Sequence, residues 1–365
     1  MSQVVALRIW RKREWLSGLA PKADKYKSTL FSIMEKLALN ISQFDNIRVV
    51  LAEPNADLRH TLKECLREHG FRSILDTGNL SQVASAVREG NVDLLIADTS
   101  LPEGDFNKYV TELRHGKHGN NPFLVTITLV NKPSRASVQT AIDSGTDHVL
   151  AKPFQPEALI SHVNELTHGR KRFVVTTDYI GPDRRSGARG GGVEIPQVDV
   201  PNALRQRMTG QMSEGVLRRH VDAAKATVNE QKVVRHAFQI GWLLDRLLPE
   251  IDAEKKSDDF NAHMERLGMV SADISERIRT TRYAHVASMC MTLCNMLEEA
   301  VINGFDAHDV RLLKKMAELI EAAFDPEREG VGQEYARNPN AQRITPDADV
   351  ATDEDDKLQG AAVAS

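Results

Sequence analysis

From Ile47 the chain alternates short apolar runs with amphipathic runs of helical period, and it does so five times before Thr167. Ile47 to Ala52, Ser73 to Leu75, Val92 to Ala97, Phe123 to Val130 and His148 to Leu150 read as strands. Ala56 to His69, Ser81 to Glu89, Phe106 to His115, Ser134 to Ser144 and Pro156 to Thr167 read as helices, the first with Leu58, Leu62, Cys65 and Leu66 on one face. Strands joined through helices must run parallel, and a parallel sheet is covered on both faces. In such a sheet the side chains that do chemistry gather at the carboxyl ends of the strands.

Four of those strands carry reactive or charged groups at or near their ends. The third strand runs Asp93-Leu94-Leu95-Ile96-Ala97-Asp98, followed by Leu101-Pro102-Glu103-Gly104-Asp105. Its apolar residues bury the strand and deliver Asp98 to the end, where a carboxylate can act as a nucleophile toward phosphorus. The fifth strand leads into Lys152-Pro153-Phe154, whose ammonium can pair with Asp98 and with phosphoryl oxygens. The fourth carries Thr126 and Thr128, either of which can supply a hydroxyl, and the first ends at Glu53, a carboxylate suited to Mg²⁺. Asp93 and Asp105 are expected to cap or solvate turns.

This order and spacing resembles the response-regulator receiver family, the CheY-like domains. The resemblance implies an α/β fold, a flavodoxin-like five-stranded parallel sheet, with Asp98 as phospho-acceptor, Lys152 as its lysine partner and Thr128 as the hydroxyl, Thr126 being the alternative. It implies Mg²⁺ held by Glu53 and Asp98, and a sensor histidine kinase or phosphotransfer protein as the phosphate donor. Two positions depart from the family pattern. Pro54 stands where the second acid of a pair is usual, which predicts weaker Mg²⁺ binding unless Asn55 or a repositioned Glu53 compensates. Val149 stands where an aromatic switch residue is common. The runner-up reading is a receiver that docks partners without being phosphorylated.

The resemblance covers about a third of the 365 residues. Residues 1–45 are expected to be a partly disordered extension with a basic stretch, Arg8 to Lys27, bearing Trp10 and Trp15; Met34 is an alternative start. Residues 46–170 form the receiver, and 171–203, rich in Arg and Gly, a flexible linker. Residues 204–325 carry helical spacing throughout and predict a separate C-terminal α-helical bundle, an output or dimerisation unit. In it Ser271 and Asp306 are expected to cap helices. Residues 326–365 read as a disordered acidic tail.

Several function classes lose support. A net charge of −4 and the absence of a helix-turn-helix pattern argue against nucleic-acid binding. No apolar run is long enough to span a membrane. Three cysteines make no disulfide framework, consistent with a cytoplasmic, non-enzymatic signalling protein. Cys290 and Cys294, four residues apart, have zinc spacing but sit on an apolar stripe, so core burial is expected. His285, after Arg282-Tyr283-Ala284, loosely resembles a phosphotransfer histidine and supplies a further alternative; His236 is a weaker candidate. His308-Asp309 has no companion metal motif. Trp242 and Phe238 read as bundle core.

Overall fold

The computed structural model describes residues 44–90, 92–185, 196–210, 213–251, 253 and 256–324. The expected N-terminal extension with its basic arm and Met34, the triple glycine at 190–192 and the acidic tail lie outside the described residues.

Five strands form one parallel sheet: β1 (Arg48–Ala52), β2 (Ser73–Thr77), β3 (Leu94–Asp98), β4 (Val125–Val130) and β5 (His148–Ala151), in spatial order β2-β1-β3-β4-β5. This is the flavodoxin-like order. The intervening helices are α1 (Ala56–Glu68), α2 (Leu80–Glu89), α3 (Phe106–Arg114), α4 (Arg135–Asp143) and α5 (Pro156–His168). Because strand side chains alternate, Leu51, Ile96 and Leu129 bury one face under α1 and α5, while Val50, Leu95 and Ala97 bury the other under α2 and α3. Asn55, Asn79, Asp105 and Ser134 start α1 to α4 by accepting backbone N–H bonds, each worth about 1 kcal/mol of helix stability. Pro156 opens α5, where its missing N–H costs nothing. Gly104 is required by its backbone (φ +157°) and because a Cβ there would lie 2.8 Å from Leu80 Cδ2.

Within 171–203, read from composition as a flexible linker, the described residues include a small antiparallel sheet. β6 (Phe173–Val175) pairs antiparallel with β7 (Ile180–Pro182) and β8 (Gln197–Val198), and Phe173, Val175, Ile180 and Val198 are buried. A short helix α6 (Ala203–Thr209) leads to α7 (Glu214–Ile251), whose 38 residues extend about 57 Å at 1.5 Å each. The first half of α7 lays Val221, Ala224 and Val228 on the small sheet. Its second half packs Ile240, Leu243, Leu244 and Leu247 against α8 (Phe260–Arg277), α9 (Ala287–Asn303) and α10 (Ala307–Ala323). The helical unit is therefore joined to the α/β domain through one continuous helix.

Asp306 caps α10 as expected, accepting N–H bonds from His308 and Asp309 at 2.7 Å each. Ser271 does not cap: it is buried inside α8, because the apolar phase of Phe260, Leu267, Val270 and Ile274 runs straight through it. Asp105 caps α3, but Asp93 is no turn residue. It is 1% exposed and takes two guanidinium bonds from Arg48 at 2.9 Å each, the Arg48 backbone N–H at 3.0 Å, and one bond from Arg207 of α6 at 3.2 Å, which fastens α6 to the start of the central strand β3.

Polar contacts also join the two units. The buried Lys232 of α7 donates to the Thr177 carbonyl at 2.6 Å, and Arg277 of α8 donates to the His115 carbonyl at 3.1 Å. Burial lowers the Lys232 pKa to about 7, with the Arg277 charge acting the same way and Asp273 opposing. An unfolded lysine keeps its proton to about pH 10.4. Between about pH 7 and 10 the unfolded chain thus binds more protons at this position, and stability rises with pH by up to about 1.4 kcal/mol per unit. Lys232→Met removes that contribution. Urea unfolding at pH 7, 8 and 9 should give a steeper rise for the wild type than for the variant.

Candidate functional site

The site is built at the carboxyl ends of β1, β3 and β5, with β4 between the last two. All five residues of β3 are buried, and Asp98, fully buried, closes the strand. A buried carboxylate needs partners, since a lone charge in the interior is costly. The chain supplies them locally and from β5. Asp98 Oδ1 accepts the Ser100 backbone N–H at 2.6 Å and lies against the Ser100 hydroxyl. Asp98 Oδ2 sits 2.5 Å from Lys152 Nζ, which follows β5. The same ammonium is 2.5 Å from Glu53 Oε2 at the end of β1. Glu53, 1% exposed, accepts the Asn55 N–H on Oε1 at 3.0 Å, and its carbonyl takes Arg59 from α1 at 2.5 Å. Two carboxylates thus share one ammonium, with the Arg59 guanidinium beside them on the Glu53 carbonyl.

Oxygen donors of this kind suit Mg²⁺, which is commonly held by one or two carboxylates with water completing its shell. Glu53 and Asp98 fit that requirement. Pro54 offers no donor, and Asn55 does not replace it, because its side-chain oxygen is engaged in the α1 cap by Asp57 and Leu58 N–H at 3.0 Å each.

The structure brings Asp98, Lys152 and Glu53 together, and it leaves Thr128 outside. In the β3–β4 register Thr128 pairs with Ala97, whereas Asp98 pairs with Leu129. Neighbouring residues of a strand point to opposite faces, so Thr128 faces away from the Asp98 side. Its hydroxyl is buried and donates to Thr146 Oγ1 at 2.9 Å. Thr126 lies deeper and bonds the Leu124 carbonyl. The residue at the β4 end, opposite Ala151 and bonded to the Lys152 N–H, is Val130, which has no hydroxyl. Sequence reasoning missed Ser100 and Arg59. Asp-Thr-Ser after a buried strand does carry a signal for Ser100, since an Asp side chain readily accepts the N–H two residues on.

Residues 49–164 match the family described as the response regulator receiver domain. They are a receiver domain. The chain is 29% identical over 115 residues to a probable chemotaxis protein CheY of Rhizobium etli, covering 32% of this chain and 88% of that protein. It is also 29% identical over 116 residues to the DNA-binding response regulator MtrA of Mycolicibacterium paratuberculosis, and 28% over 131 residues to the transcriptional regulatory protein PdtaR of Mycobacterium tuberculosis. These matches cover 32% and 36% of this chain, and 49% and 61% of those relatives. The receiver is thus identified, and the helical unit is not assigned by these matches.

Outside the receiver, the other candidate residues occupy quieter places. Cys290 is fully buried, and burial raises its pKa to about 11, the wrong direction for a metal-binding thiolate. Among the described residues the two cysteines join no metal-binding group. His236 is buried with Nε2 2.7 Å from Asp273, and its pKa is lowered to about 4, chiefly by burial. His285 is exposed on a one-turn 3-10 segment, Ala284–Val286, rather than within a helix. Trp242 packs at the edge of the bundle core under Arg246. Among the described residues no helix is long and apolar enough to cross a membrane.

Proposed function

We propose that this protein is a phosphorelay response regulator in which Asp98 accepts a phosphoryl group and the helical unit conveys the result to a partner or a second copy. The observation that carries this reading is Asp98 at the end of β3 with Oδ2 2.5 Å from Lys152 Nζ. Ser100 holds Oδ1, leaving Oδ2 as the attacking oxygen. An O–P bond forms as the P–N bond of a donor phosphohistidine breaks, and the leaving imidazole takes up a proton. Lys152 then faces a phosphoryl oxygen in place of the carboxylate it loses. Mg²⁺, held by Glu53 and Asp98, would supply charge neutralisation for the transfer. The donor is a sensor histidine kinase or phosphotransfer protein, and the setting a cytoplasmic one. The acyl phosphate carries about one and a half to two negative charges where the Asp98 carboxylate carried one, and that added charge beside Glu53 and Lys152 provides the force for rearrangement.

A second reading is favoured by Pro54, Val130 and Val149: a receiver surface that binds partners without a phosphorylation switch. Incubation with acetyl phosphate and Mg²⁺, followed by intact-mass analysis, separates the two. The first reading expects one added phosphoryl group on the wild type, abolished in Asp98→Asn. An unlabelled wild type, beside a competent receiver labelled in the same conditions, would establish the second.

A further inference from the structure

A separate cluster lies at the end of β5 remote from Lys152. His148 opens β5, the edge strand of the sheet, while His162 and Glu165 stand three residues apart on α5 and so share a helix face. His148 Nε2 and His162 Nδ1 approach the same Glu165 oxygen, Oε2, at 3.4 and 3.3 Å. The two rings are 3.9 Å apart between centroids and tilted by 47°. The three ligand atoms lie within 4.8 Å of one another, and no other group of three such side chains does so among the described residues.

Hydrogen bonding alone is a poor account of this arrangement, because such bonds prefer roughly 2.7–3.2 Å. A tetrahedral ion with bonds of about 2.0–2.1 Å sets its ligand atoms about 3.3–3.4 Å apart, which is the edge of that tetrahedron. Two imidazoles and a carboxylate are a common zinc donor set, and imidazole nitrogen favours late first-row ions over Mg²⁺. Side-chain exposures of 29%, 24% and 60% let an ion enter from solvent without any opening of the fold. One cation opposes it: Arg184, whose guanidinium is held on the Thr146 and Asp147 carbonyls.

We propose that His148, His162 and Glu165 form a Zn²⁺-class site, with three protein ligands and a fourth position left to water or an external donor. The ion would clamp the start of β5 to α5, the strand–helix pair that also positions Lys152.

The test uses the full chain and Zn²⁺ itself. Calorimetry should find one Zn²⁺ per chain, with affinity at least tenfold weaker in His148→Gln and in His162→Gln and unchanged in Cys290→Ser and Cys294→Ser. Bound Co²⁺ should show d–d bands without thiolate charge transfer. Zn²⁺ should raise the wild-type Tm, EDTA should reverse the rise, and the histidine variants should show neither effect while matching the wild-type Tm in EDTA. Should a histidine variant melt early in EDTA, Glu165→Gln, at the most exposed position, must still weaken binding tenfold. No binding by the wild type, unchanged affinity in the histidine or glutamate variants, or thiolate bands with Co²⁺ overturns the proposal.

Discussion

Asp147→Asn should cost the α/β domain about 3–5 kcal/mol, the range found when one partner of a buried ion pair is removed. Asp147 lies just before β5 and is 1% exposed in its side chain. Its Oδ2 is 3.0 Å from the fully buried Arg114 of α3, and its Oδ1 is 2.7 Å from Arg170, which follows α5. It also accepts the Thr126 N–H of β4 at 2.9 Å. One carboxylate thus ties together three elements and the segment entering β6. The arginines have further acceptors: Arg114 donates to the Gly145, Pro122 and Leu124 carbonyls, and Arg170 to those of Phe123 and Pro201. Those carbonyls satisfy N–H groups but do not neutralise two buried charges stacked near the Phe173 ring. The measurement is the urea midpoint at constant m-value, and a shift equivalent to less than 1 kcal/mol would refute the argument. Burial opposes ionisation of Asp147, but Arg170 and Arg114 outweigh it and hold the pKa below the usual value. The sign follows: the contribution is present above the ordinary Asp range and is lost as pH falls through the lowered pKa. The variant should therefore lack part of the wild type's acid-induced loss of stability.

That cluster was not legible in the sequence, and the reason applies to other residues as well. Alternation of apolar and polar residues reports which face a residue occupies, so all five strands, their helices and the placement of Asp98, Glu53 and Lys152 at strand ends could be read from it. It carries no information about which distant charges meet. Asp93 reads as a turn residue along the chain and Asp147 carries no signal there, yet both are buried anchors whose partners lie up to 114 residues away. Thr128 failed for a related reason. Spacing along the chain does not locate the end of β4, which is set by hydrogen-bond register: this places Leu129 beside Asp98 and leaves Val130 at the rim. The small sheet escaped because strands of two or three residues are too short to show a period, and the Arg- and Gly-rich composition around them masked Phe173, Val175, Ile180 and Val198. In the helical unit the apolar spacing was sufficient to find the bundle, but not that α7 continues onto the small sheet.

The receiver pocket itself differs from its family at the position that sequence marks most clearly, and reversing that difference has a large expected effect. Pro54→Asp should strengthen Mg²⁺ binding between tenfold and a hundredfold and should raise the rate of labelling of Asp98 at low Mg²⁺. At present Lys152 contacts both carboxylates, so a divalent ion must compete with an ammonium that already meets them at 2.5 Å. A third carboxylate supplies charge that Lys152 cannot also satisfy. A divalent ion and a carboxylate 4 Å apart attract by about 8 kcal/mol at an effective dielectric of 20. Pro54 is exposed, so hydration and salt reduce that figure to roughly 1.4–3 kcal/mol, one to two powers of ten in affinity. The substitution leaves α1 intact, because Asn55 retains its cap and an aspartate adopts the backbone geometry of a proline without strain. Mg²⁺ dependence of acetyl-phosphate labelling, compared between wild type and Pro54→Asp with Asp98→Asn as the blank, checks it. An unchanged half-saturating Mg²⁺ concentration would show that Pro54 is not what limits the metal. Labelling that accelerates with no change in the oligomeric state of the full chain would place the missing step at Val130 and Val149, where the receiver has neither a strand-end hydroxyl nor an aromatic ring to carry the change outward.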